Sequence, residues 1–136
     1  MVEIDLPHRL LQKASISPGG EHAWRLTDVE EVVLAAQSSG LGCLGGQVQF
    51  QPTGGVCEAY WLSVDSTERR DDEAWTEYVA RSVSEVLVGF RRLAHETDFV
   101  SEARRWEVLR TRIDLEHYDP VADLWFVLYF ASESAS

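Results

Sequence analysis

Seven successive apolar residues, LWFVLYF at 124–130, restrict the fold of this chain more than any other stretch. With Ala131 they make the longest apolar run in the sequence, far short of the roughly 20 residues that a membrane-spanning helix requires. At this length the run reads as a strand. Successive side chains of a strand point to opposite faces, so a strand that is apolar at every position needs cover on both. That places it at the centre of a sheet.

The remaining sequence supplies its neighbours. Leu6, Leu10, Leu11 and Ala14 suggest a short helix after Pro7, broken by SISPGG. In TDVEEVVLAAQSSG, Thr27 and Glu30 have capping-box spacing, and Val29, Val32, Val33 and Ala36 recur every three or four residues. Strands follow near 43–50 and 56–64, joined by QPTGG, with Val56, Tyr60, Leu62 and Val64 tending to one face of the second. Trp75, Tyr78, Val79, Val83, Val86, Leu87, Phe90 and Leu93 trace one stripe over about 20 residues, which predicts the longest helix and puts Trp75 in the core. Acidic residues 71–73 at its start suit the helix dipole. Leu109, Ile113 and Leu115 among charged neighbours read as a strand near 105–116, which returns through HYDPVAD into the final strand. The predicted architecture is α+β: a single domain over residues 1–131, an antiparallel sheet of about four strands with helices packed on one face, and a flexible tail at 132–136.

The stretch GLGCLGG, 40–46, has the spacing G-x-G-x-x-G of a dinucleotide-binding loop. Such a loop must follow a strand and open a helix, because the phosphates rest on the helix's free N–H groups. Here the order is helix, glycines, strand, which turns the carbonyl end of the helix toward the loop. Gly40 is expected to end the helix, and Gly45 and Gly46 to permit a bulge or a close backbone approach. No cofactor is expected.

Twenty-three acidic residues against 12 basic ones give a formal net charge of −11, which argues against nucleic acid or an anionic membrane as the partner. It suits a basic protein partner, or nothing more specific than solubility. The N-terminus lacks the charged and apolar regions of a secretory signal, and the two cysteines, Cys43 and Cys57, are expected as free thiols, so the chain reads as cytoplasmic. With Phe50 and Val56 flanking the turn, Cys57 would face Gln49 and Cys43 would face Ser63, too far apart for a disulfide.

No arrangement of residues announces catalysis. HETDF puts Phe99 where H-E-x-x-H requires histidine, and G-x-S-x-G is missing. His117 near Asp114, Glu116 and Asp119 is the one conceivable acid–base cluster, and it lies in a polar turn. The acidic segment DSTERRDDEAWTE, 65–77, offers more: six acids against two arginines between a strand end and a helix start. With Trp61 closing the preceding strand, Trp61, Asp65, Glu68, Asp71 and Asp72 are the candidate partner-binding residues. A small-molecule pocket between sheet and long helix, or an enzyme built on the His117 acids, is the alternative.

AWRLTDVEEVVLAAQSSG, a strand opening with LGGQV, a strand ending in YWL, the acidic loop and EAWTEYVARS together resemble a family of bacterial immunity proteins that neutralise polymorphic contact-dependent toxins. The resemblance covers about residues 23–90 and rests most on EAWTEYVARS, 73–82, and LGG, 44–46. Two positions depart from the family pattern: Gln47 stands where an acid is usual after LGG, and Tyr60 where Asn precedes the strand-ending Trp. The resemblance implies a small cytosolic protein that blocks a cognate toxin by tight stoichiometric binding.

Overall fold

In the computed structural model, which describes residues 6–17 and 19–135, the run 124–130 lies at the centre of a five-stranded antiparallel sheet. The elements follow in the order α1 (His8–Lys13), β1 (Ser15–Ile16), β2 (His22–Trp24), α2 (Val29–Ser38), β3 (Gly42–Phe50), β4 (Cys57–Asp65), α3 (Trp75–Glu96), α4 (Phe99–Ala103), α5 (Glu107–Glu116) and β5 (Leu124–Ala131). Strand order is β1-β2-β5-β3-β4, so β5 is hydrogen-bonded on both edges. Its Phe126 pairs with Trp24 on one side and Val48 on the other.

Paired residues of an antiparallel sheet share a face, and the two faces here are unlike. Leu124, Phe126, Leu128 and Phe130 belong to the buried core together with Trp24, Val48, Phe50 and Ala59. Against this face packs α3, burying Val79, Val83, Val86, Leu87 and Phe90, with Phe90 edge-on to Phe126 at 5.0 Å. On the other face Trp125 and Tyr129 are half-buried, while Val127 between them is fully buried in register with Ala23 and Gln47. Cover there comes from other side chains: the Arg25 guanidinium lies 4.1 Å from the Trp125 ring centre, and the Tyr129 hydroxyl donates to Glu21.

Four local expectations are corrected. The expected strand at 105–116 is a turn followed by the helix α5: Trp106, Leu109 and Ile113 recur at helical spacing against the core, and Leu115, which suggested alternation, is 76% exposed. The fifth and fourth strands are therefore β1 and β2, whose brevity hides them in the sequence. Thr27 does not cap α2; it sits inside a 3-10 turn, Leu26–Asp28, that leads into the helix without a side-chain cap. In β4 three residues, 60–62, bulge out between the pairs Val48↔Ala59 and Gln47↔Ser63, so Tyr60 is 70% exposed while Cys57, Ala59 and Val64 point inward. The turn also shifts by one residue: Cys57 faces Phe50, and Gln49 faces Glu58.

The glycine stretch does what its order implies. The Gly40 N–H reaches the Gln37 carbonyl and the Leu41 N–H reaches that of Ala36, the paired bonds of a Schellman ending, with Gly40 at φ 77°. Gly45 and Gly46 follow a bulge in the β3–β5 ladder, and Gly45 takes φ 145°. Pro18, residues 1–5 and residue 136 lie outside the described residues; of the expected tail, Glu133–Ala135 forms a 3-10 turn.

Candidate functional site

The acidic loop between β4 and α3 is built around one arginine. Arg81, one and a half turns into α3, donates through Nε and Nη2 to both carboxylate oxygens of Glu73 at 2.7 and 2.8 Å, and through Nη1 to Glu85 at 2.7 Å. The same guanidinium donates to the backbone carbonyls of Thr67 (3.1 Å) and Glu68 (3.2 Å). Glu73 also accepts from the Arg70 N–H, and the Ser66 hydroxyl donates to the Cys43 carbonyl at 2.6 Å. Each end of the loop is thus tied to a rigid element.

Burial separates the acids by role. The Glu73 side chain is only 5% exposed, and the Arg81 bonds hold its carboxyl at about 2 against the opposing penalty of burial. Asp65, Glu68, Asp71 and Asp72 are all exposed, as are Arg69 and Arg70. Four acids against two arginines leave this surface negative, and it is carried on a backbone whose carbonyls are pinned from within.

Both tryptophans stand elsewhere than expected. Trp61 does not flank the loop: its indole stacks on Trp106 at 5.4 Å, donates to Glu102 at 2.9 Å and lies under Arg105, beside α4. Trp75 is not in the core. It is half-buried at the base of the loop, donates its indole N–H to the Gly40 carbonyl at 2.8 Å and stands 5.2 Å from the Arg69 guanidinium. A groove of about 230 Å³ beside it is lined by Gln37, Gly40, Thr76 and Val79. The stripe that includes Trp75 begins one turn before the sheet covers it, so its period was legible and its exposure was not. Arg81 carries the loop yet gave no signal beyond its place in EAWTEYVARS.

The alternative sites come apart. His117 ends α5 in the left-handed conformation at φ 54°, while Asp114 pairs with Arg104, Glu116 with Arg112, and Asp119 accepts from the Val121 N–H. Each acid is engaged elsewhere. Burial pushes the Cys43 thiol up to about 12, opposed by a bond from the Gly45 backbone, and burial raises Cys57 as well, so neither is poised as a thiolate. The interface between α3 and the sheet is filled by the core, and the larger cavities open elsewhere. Among the described residues no group of three or more His, Cys, Asp or Glu side chains has the placement of a metal site, and no helix is long and apolar enough to cross a membrane. No protein-family model, curated protein or solved structure matches the chain significantly.

Proposed function

We propose that this chain is an immunity protein: a cytoplasmic inhibitor that binds a cognate toxin of basic surface one to one. The observation that carries the reading is the acidic loop, whose exposed Asp65, Glu68, Asp71 and Asp72 ride on a backbone fixed by Arg81. A charged surface held in one shape loses little conformational entropy on binding, and opposite fields accelerate encounter while rejecting wrong partners. The half-exposed Trp75 beside the loop supplies an aromatic anchor, the residue type in which interfaces concentrate their binding energy. The resemblance to toxin-neutralising proteins over residues 23–90 supports the same reading.

The test looks beside this chain's gene for one encoding a toxin-like domain and takes that domain as the partner; finding none would count against the reading. Converting Asp65, Glu68, Asp71 and Asp72 to lysine should leave the fold intact, because all four residues are exposed. The wild-type association rate should fall steeply with added salt, and the reversed variant should associate more slowly, with far weaker salt dependence and no growth rescue. Full protection by the reversed variant with unchanged kinetics would remove the loop from the interface. Failure of the wild-type protein to bind or protect would overturn the immunity reading itself.

A further inference from the structure

A second feature, independent of the acidic loop, lies where β2 leaves the sheet. A cavity of about 430 Å³ opens there, walled by Leu26, Thr27, Phe99, Val121, Leu124 and Arg25. Its volume falls in the range of small-molecule sites, and its lining has their character: a largely apolar wall with the Thr27 hydroxyl and one charged group. That group is held with unusual definition. Arg25 Nη1 donates to the carbonyls of Ala122 (2.7 Å) and Leu124 (3.2 Å), and the guanidinium carbon lies over Trp125, 4.1 Å from the ring centre.

Those contacts use both hydrogens of Nη1 and none of the others. Nε–H and one N–H of Nη2 project side by side, the edge of a guanidinium that grips a carboxylate through two parallel bonds. Among the described residues no carboxylate pairs with Arg25, although the chain holds 23 acids. We propose that this cavity binds a small amphipathic monocarboxylate, its apolar body against Leu26, Phe99 and Val121 and its carboxylate on the Nε/Nη2 edge of Arg25. The net charge of −11 opposes any anion at long range, so the specificity must come from this contact.

Octanoate and octanol, equal in chain length and different in head group, are the probes, titrated calorimetrically into the whole protein. Octanoate should bind saturably and about tenfold or more tighter than octanol, as expected for hydrogen bonds to a charged group. Arg25→Gln should bring octanoate down to the affinity of octanol, and Thr27→Trp, which fills the mouth and keeps the arginine, should abolish both. Equal affinity for the two probes, or no saturable octanoate binding at millimolar concentration, would overturn the proposal. If Arg25→Gln does not fold, the acid-against-alcohol comparison and Thr27→Trp decide it.

Discussion

Replacing Gly46 by alanine adds one methyl group where three chains of atoms already meet. A Cβ built there lies 2.2 Å from the Val127 carbonyl oxygen and 2.3 Å from Cε1 of Phe126, both far inside contact distance. Neither obstacle can step aside. The carbonyl belongs to the central strand, and the Phe126 ring is fully buried and braced edge-on by Phe90. Overpacking a tight core costs about 1–3 kcal/mol, and with both neighbours fixed we expect the upper end, about 3 kcal/mol. In a domain of this size that corresponds to a fall of roughly 10 °C in Tm, and to a large part of a total stability of about 5–15 kcal/mol. Urea melts with an unchanged slope would measure it. Gly55→Ala is the control, since nothing stands within 4 Å of its added methyl, and it should shift stability by less than about 1 kcal/mol. A Gly46→Ala protein within about 1 kcal/mol of the wild type would refute the claim that β3 and β5 approach too closely for a side chain.

Three further outcomes follow from the site and the core. Trp75→Ala should cost about 2 kcal/mol in urea melts, from half the burial of an aromatic ring and one lost hydrogen bond, while reducing toxin affinity by more than its stability loss can explain. Because the folded Glu73 carboxyl is lowered to about 2 from 4.5, its contribution is fully present above pH 4.5 and is lost as pH falls toward 2; Glu73→Gln should flatten acid unfolding in that window, seen by circular dichroism. The Cys43 thiol is raised from 9.0 to about 12, so its contribution is intact below pH 9 and is lost as pH climbs toward 12; Cys43→Ala should flatten that alkaline loss, and native protein at pH 8 should leave Cys43 unlabelled by iodoacetamide.

Long periodic signals in this sequence proved readable, and short or interrupted ones did not. The stripe from Tyr78 to Leu93 and the unbroken run 124–130 each repeat one spacing often enough to identify α3 and the central strand β5. β2 has three residues, and its Trp24 is fixed by a bond to the Leu10 carbonyl that no local pattern encodes. In α5, Leu109 and Ile113 fit a helix as well as a strand, and the exposed Leu115 tipped the balance wrongly. At the loop, composition marked the acids, but the division between buried Glu73 and its exposed neighbours depends on Arg81 arriving from the next element. The arginine over Trp125 is equally silent in sequence, because its partners lie about a hundred residues away.

The central position of β5 also sets the order in which this molecule can become itself. β3 and β4 join through a short turn and can pair early, whereas β2 and β3 meet only through β5, some 75 residues after β3 ends and about a hundred after β2. Without 124–131, the inner edges of β2 and β3 have no partner for their N–H and carbonyl groups, and edges of that kind recruit other chains. The strand on which the sheet's two halves meet is thus the last of its strands in the sequence, like the central panel of a coat sewn in last.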